Sequence, residues 1–201
     1  MTIKAVFLDF GGVISRTEFQ APRQHLAERL ELEYEALVEL VFGSESSRRA
    51  SVGAISEDEH WNAVMSKLKL SAAEMQVVRE QFFAGDVVDQ DLLDFLGGLR
   101  PKYKVGLISN AWSGLRPWMV GRGIDRAFDE MIISAEVGVM KPEKRIYQLA
   151  LEKLGVAAAE SVFVDDFPEN VEGAQAVGMQ TIRFKEPEKV KEELQRLLQE
   201  R

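Results

Sequence analysis

The stretch from Ala5 to Ser15 reads "AVFLDFGGVIS", an apolar run that closes on one acid and two glycines. Consecutive apolar residues without alternation are what a strand buried on both faces of a parallel sheet requires. Such a strand, ending in Asp9, presents a carboxylate at the sheet edge. Gly11 and Gly12 have no side chains, so the backbone after Asp9 can approach a phosphate or an ion closely. A turn acid in a tight glycine-rich connection would read the same way. The rest of the chain decides between the two.

Four more runs of strand length follow Ile3–Leu8, at Lys104–Ile108, Met131–Ile133, Ser161–Val164 and Thr181–Phe184. Helical stretches alternate with them from the second strand onward: Asp91–Leu99, Ser113–Val120, Pro142–Leu154, Asn170–Val177 and Pro187–Glu200. Gly155 and Gly178 stand where the third and fourth of these should stop. This alternation predicts an α/β fold with a doubly wound parallel sheet.

The exception is the segment of about ninety residues between the first two strands, where a crossover needs only about a dozen. It reads as helices at Pro22–Leu30, Tyr34–Phe42, Glu57–Leu68 and Ala72–Phe83. The last two open on the capping-box pairs Ser56 with Glu59 and Ser71 with Glu74. Trp61, Val64, Met65 and Leu68 recur at helical spacing and read as core. A helical domain over 15–88 is expected, inserted into a core of 1–14 and 89–201. Inserted after Asp9, it would lie over the carboxyl ends of the strands, where open α/β sheets bind ligands. Within it, "GSESSRRASVGAIS" from Gly43 to Ser56 breaks the helical rhythm. Its Arg48 and Arg49 read as solvated surface, or else as crevice residues that meet a polar or anionic substrate. His25 and His60 show no metal-ligand spacing and receive no role.

Acidic residues outnumber basic ones 33 to 25, for a formal charge of −8, which argues against a nucleic-acid partner. The chain has no cysteine, which fits a reducing compartment. No apolar run approaches the roughly 20 residues of a membrane span. Asp9 interrupts the opening apolar run and no small-residue cleavage site follows, so a cytoplasmic protein is expected.

Four sites then stand at strand ends or helix starts. The first is Asp9 in "LDFGG". The second is "GLISN", where Ser109 and Asn110 read as helix caps or as neutral donors for phosphate oxygens. The third is "MKPEKRIY", in which Pro142 fits a first helical turn and puts Lys141 at or just before the positive end of the dipole. A cation is mildly unfavourable there unless an anion binds. The fourth is "VFVDDFPEN", where Asp165 and Asp166 are helix N-terminal acids or cation ligands. With Asp9 they make three acids converging on one crevice, which points to a hard cation with oxygen ligands, Mg²⁺ above all.

The order of these sites resembles the haloacid dehalogenase (HAD) superfamily, in its phosphatase branch with a helical cap inserted after the first motif. The resemblance covers essentially the whole chain, and the four family motifs fall on Asp9, Ser109, Lys141 and Asp165–Asp166. "DFGGV", "LISN", "GVMKPEKRIY" and "VFVDDFPENVEGA" are most similar to a subgroup of bacterial sugar-phosphate phosphatases and the amino-terminal phosphatase domain of soluble epoxide hydrolase. It implies a Rossmann-like core with the first strand central. It also implies that Asp9 attacks phosphorus to form an aspartyl-phosphate, with Lys141 as the second catalytic residue. Mg²⁺ would be held by the Asp9 carboxylate, the Gly11 carbonyl and the Asp166 carboxylate, with Asp165 behind them or as a weaker ligand. Ser109, Asn110, Lys141 and backbone amides near Gly12 would hold the phosphoryl oxygens. The implied substrate is a small phosphorylated metabolite such as a sugar phosphate, with no nucleic-acid or membrane partner, handled by a monomer or homodimer.

The chain departs from the family at Gly11, where most of these phosphatases carry a second Asp that protonates the leaving oxygen and later activates water. General acid–base help of that kind is typically worth ~10²–10⁴-fold. Two other functions compete with the phosphatase. A metal-independent 2-haloacid dehalogenase is one, although the Asp165–Asp166 pair argues against it. A non-catalytic binding protein that lost its general acid is the other.

Overall fold

The computed structural model describes residues 2–199. Its strands are β1 (Ala5–Leu8), β2 (Ser15–Thr17), β3 (Asp86–Val88), β4 (Lys104–Ser109), β5 (Glu130–Ile133), β6 (Ser161–Asp165) and β7 (Gln180–Arg183). Between β2 and β3 lie helices α1 (Ala21–Arg29), α2 (Tyr34–Val38), α3 (Glu45–Ser51), α4 (Glu57–Leu68) and α5 (Ala72–Phe83). The remaining helices are α6 (Gln90–Leu99), α7 (Leu115–Gly121), α8 (Ser134–Val137), α9 (Lys144–Leu154), α10 (Pro168–Gln175) and α11 (Pro187–Gln199).

Five strands form one parallel sheet in the order β5-β4-β1-β6-β7, so β1 is central. Its burial explains its composition. Ala5 and Phe7 face one helical layer, where Phe7 shares a cluster with Ile108, Ile146, Tyr147 and Phe163. Val6 and Leu8 face the other, with Leu92, Leu96, Leu107 and Val164. Side chains alternate across a strand, so a strand covered on both faces must be apolar at every position. The doubly wound Rossmann-like sheet expected from the sequence is present, with strand ends shifted by one or two residues.

The helices between residues 21 and 83 bury a cluster of their own around Leu26, Leu37, Val41, Trp61, Val64 and Phe82. Both capping boxes are formed. This helical part hangs on an antiparallel ribbon of β2 and β3, in which Thr17 Oγ1 donates to Asp86 Oδ1 at 2.6 Å. Three-residue strands carry no readable period, and the sequence did not announce the ribbon.

Three sequence expectations need correcting. The Gly43–Ser56 stretch is not irregular throughout, because α3 runs through it with Ser44 as its cap, accepting from the Ser47 N–H at 3.3 Å. The buried side of α3 is made of Ser47, Ala50 and Ser51, so no hydrophobic period marks it. Arg48 and Arg49 stand exposed on it. The Tyr34–Phe42 helix is α-helical only to Val38 and continues as a π-helical turn to Gly43. Finally, α9 begins at Lys144 and not at Pro142. Pro142 follows a cis peptide bond and sits in a turn closed by Glu143 N–H on the Met140 carbonyl at 2.9 Å. A proline's fixed φ serves a turn as well as a first helical turn, so the sequence alone does not separate them.

One residue from the sheet side completes the helical cluster. Trp112, in the loop after β4, has its ring 4.5 Å from His60 and 5.7 Å from both Phe42 and Trp61. Beside it, Glu57 Oε2 accepts from the Gly114 N–H at 2.9 Å, while Oε1 accepts from Trp61 Nε1 at 3.2 Å and pairs with Arg79. Among the described residues no helix is long and apolar enough to cross a membrane. Trp112→Ala removes the ring shared by the two parts and is expected to cost ~3 kcal/mol of stability, measured by urea unfolding.

Candidate active site

The sheet register assembles the site. Leu8 pairs with Val164 across β1 and β6, so Asp9 and Asp165 emerge side by side at the next position. Asp9 N–H donates to the Val164 carbonyl at 2.9 Å, and its own Oδ1 accepts from Phe10 N–H at 2.6 Å. The chain then turns tightly, with Ile14 and Ser15 N–H groups on the Phe10 carbonyl at 2.9 and 2.8 Å. Gly12 adopts φ +79°, and a Cβ there would lie 2.3 Å from Asp166 Oδ2. A side chain at position 12 would collide with that carboxylate, so the glycine lets the turn close on it.

Lys141 reaches in from the loop before α9 and is only 2% exposed. Its Nζ lies 2.8 Å from Asp9 Oδ2 and 2.6 Å from Asp165 Oδ2. Asp165 is saturated with donors: besides Lys141 it accepts from Phe167 N–H at 2.8 Å and from Asn170 Nδ2 at 3.0 and 3.1 Å. Asp166 is the opposite case. Its Oδ1 is buried and has no hydrogen-bond partner.

Oxygens of Asp9, Asp165 and Asp166 all lie within 4.8 Å of one another, around a single ammonium. Burial pushes the Asp9 carboxyl up to about 6 against the pull of Lys141, and the Asp165 charge adds to the rise. Asp166 is raised as well, first by burial and then by the Asp165 charge. Beneath them, Tyr147 is pushed up by burial and by the charges of Asp165 and Asp9, and its hydroxyl donates to the Asn170 carbonyl at 2.7 Å. A surplus of buried carboxylate, one oxygen of it unsatisfied, is a donor set that fits a hard divalent cation. Asp9 and Asp166 have oxygens to offer, whereas Asp165 is committed to three donors, one of them shared between both of its oxygens.

The remaining expected residues fall around this cluster. Ser109 ends β4 at 2% exposure. Asn110 is joined to the site through Lys141, because Nδ2 donates to the Lys141 carbonyl at 2.9 Å and Oδ1 accepts from the Lys141 N–H at 2.7 Å. Gly11 lies exposed in the turn, and a Cβ built on it meets nothing within 4 Å. His60 is buried in the helical part, with Nδ1 2.9 Å from Ser46 Oγ, and His25 is exposed. Sequence reading missed Asn170, although its place five residues after Asp165, in the first turn of the helix that follows the strand, was the signal that could have found it.

A parallel sheet that delivers a carboxylate from its central strand into an acid–lysine cluster places this site where open α/β sheets bind ligands, at the carboxyl ends of the strands. The chain belongs to the haloacid dehalogenase-like hydrolase family, whose profile matches residues 3–178. It is 24% identical over 190 residues to D-ribitol-5-phosphate phosphatase of Bacteroides thetaiotaomicron, a match that covers 90% of this chain and 91% of that protein. Glyceraldehyde 3-phosphate phosphatase of Methanopyrus kandleri is 32% identical over 121 residues, 58% of this chain. The chain spans about half, 52%, of that protein and smaller shares of some other curated relatives. The fold is shared with a HAD family enzyme of Bacteroides thetaiotaomicron in complex with magnesium and inorganic phosphate. That similarity has a TM-score of 0.77 at 22% identity and covers 91% of this chain and 94% of the other.

Two outcomes are expected. Asp166→Asn removes the unsatisfied carboxylate, so it should leave the metal-free melting temperature equal or higher, and a divalent cation that raises the wild-type melting temperature should no longer do so in the variant. Differential scanning fluorimetry with and without Mg²⁺ checks both. Asp9, raised from 3.8 to about 6 on folding, binds its proton more tightly in the folded state. The stability it contributes is therefore full below its unfolded value and lost as pH rises through about 6. In metal-free protein, Asp9→Asn should gain in melting temperature relative to wild type across that window.

Proposed function

We propose that this protein is a Mg²⁺-dependent phosphatase of small phosphorylated metabolites, working through an aspartyl-phosphate on Asp9. The observation that carries the reading is the cluster of three carboxylates around the Lys141 ammonium, with the Asp166 oxygen left unsatisfied. The phosphate-ester names of the relatives and the magnesium and phosphate in the structural neighbour support it. Residues 15–88 then act as a cap that selects the substrate.

In this reading the Asp9 carboxylate attacks phosphorus, the ester P–O bond breaks, and the alcohol leaves as its oxyanion to take a proton from water; the acyl phosphate left on Asp9 is then hydrolysed by water to inorganic phosphate and free Asp9. Lys141 spends two N–H groups on Asp9 and Asp165. The third is free for a phosphoryl oxygen, where it offsets developing charge. Ser109 and the backbone near Gly12 complete the phosphoryl seat, and Asn110 stands beside them with both carboxamide atoms on the Lys141 backbone. Asp9, the Gly11 carbonyl and Asp166 would hold Mg²⁺, which when bound offsets the repulsion between a carboxylate nucleophile and a phosphate dianion. Asp165 holds Lys141 in place from behind.

Gly11 gives this site no acid for the leaving oxygen. Substrates whose leaving groups need little protonation, such as aryl, acyl and anomeric sugar-1-phosphates, should turn over better than alkyl phosphates, against a general-acid contribution of ~10²–10⁴-fold. A phosphate-release screen over a metabolite panel, with and without Mg²⁺ and with halide release followed in parallel, tests the reading. Mg²⁺-stimulated phosphate release that is abolished in Asp9→Asn is expected. Halide release without metal would replace the reading by a dehalogenase. The open space at Gly11 makes a further test clean. The wild-type rate should fall steeply with leaving-group pKa across a series of aryl and alkyl phosphates, and Gly11→Asp should flatten that dependence.

A further inference from the structure

We propose that Asn110 is a positioning residue for Lys141, fixing the ammonium by gripping the lysine's backbone at both of its polar groups. The inference rests on the phosphatase reading of the same site and gives Asn110 a role other than contact with the phosphoryl group. The carboxamide donates to the Lys141 carbonyl at 2.9 Å and accepts from the Lys141 N–H at 2.7 Å. Donor and acceptor thus meet acceptor and donor, a match that a carboxamide makes to a peptide group and that Ser, Thr or Asp cannot make in full.

Lys141 needs such a hold. It is buried in a loop whose neighbours Gly138, Pro142 and Glu143 are exposed. Its Nζ must sit 2.8 Å from Asp9 and 2.6 Å from Asp165 at the end of a flexible four-carbon stem. The two carboxylates fix the tip of that buried stem, and Asn110 fixes the backbone at its root. Asn110 does so from the end of β4, in the core of the sheet, where the neighbouring Ser109 is buried. A backbone N–H and C=O that enter a buried site need partners, and the same two bonds supply them. The phosphoryl seat and the cation would then be set by one short segment, Ser109 by its own place on the strand and Lys141 through its neighbour. A shift of about 1 Å in a positioned group can cost ~10²-fold in rate.

The test uses the full chain with Mg²⁺ and an aryl phosphate, on wild type, Asn110→Ala, Asn110→Asp, Lys141→Ala and the Asn110→Ala/Lys141→Ala double variant. Asn110→Ala should lower kcat by about tenfold or more with KM changed by less than about threefold, as for a group that acts on the transition state through another. Asn110→Asp keeps only the acceptor for the Lys141 N–H and should fall between, and it decides the matter if Asn110→Ala does not fold. On the Lys141→Ala background, removing Asn110 should add less than about twofold. Without substrate or metal, hydrogen exchange at the Lys141 amide should speed up by about tenfold or more in Asn110→Ala. Wild-type kcat in folded Asn110→Ala, or unchanged exchange at Lys141, overturns the proposal. A multiplicative loss in the double variant with a raised KM overturns it in favour of direct phosphoryl contact. A wild type inactive on phosphate esters would count against the phosphatase reading, and the exchange measurement would still decide the grip.

Discussion

The ammonium of Lys141, buried against the carboxylates of Asp9 and Asp165, is the contact on which the carboxyl edge of the sheet depends. The parallel register leaves no choice about the two acids, since pairing Leu8 with Val164 sets the next residues side by side. Without a cation between them, two desolvated like charges would face each other at the centre of the fold. Each side of the contact is held from behind. Asn110 holds the Lys141 backbone, and Asn170 and the Phe167 N–H hold Asp165. Tyr147, packed edge-on against Phe163, anchors the carbonyl of Asn170 in turn.

One ammonium does not balance three carboxylates, and the imbalance is where chemistry enters. The raised Asp9 and Asp166 carboxyls and the unsatisfied Asp166 oxygen are costs the fold carries at this edge. They are offset by strands apolar on both faces and by helices packed over each side. A buried ion cluster is a poor source of stability but a good source of geometry. Here it presents the Asp9 carboxylate with the Lys141 ammonium on one side and the unsatisfied Asp166 carboxylate on the other.

The helical part is tied into the same edge by the loop after β4. That loop starts at Ser109 and Asn110 and reaches the helical cluster three residues later, at Trp112. Gly114 then hands its N–H to Glu57 at the start of α4. The backbone that carries the expected phosphoryl seat is therefore the backbone that docks the helices.

Much of this was legible in the sequence because burial on both faces leaves an unbroken apolar run, and a run that stops at Asp9, Ser109 or Asp165 marks where the sheet ends. The long helices showed through their period and their capping boxes, the three site acids through their places at strand ends, and Lys141 through its place just before a helix. What escaped was whatever the period does not record. The serine- and alanine-faced helix α3, the three-residue ribbon strands and the turn at Pro142 have no hydrophobic rhythm of their own. The partners of Lys141, Asn110, Asn170 and Trp112 lie on other elements, and which atoms meet is set by strand register and by the path of loops in space. The amino-acid sequence by itself determined which residues stand at the edge of the sheet. Only the tertiary structure decided which carboxylate Lys141 saturates, which one keeps a free oxygen, and that Asn110 grips a backbone, because a hydrogen bond depends on distances of a few ångströms between segments far apart in the chain.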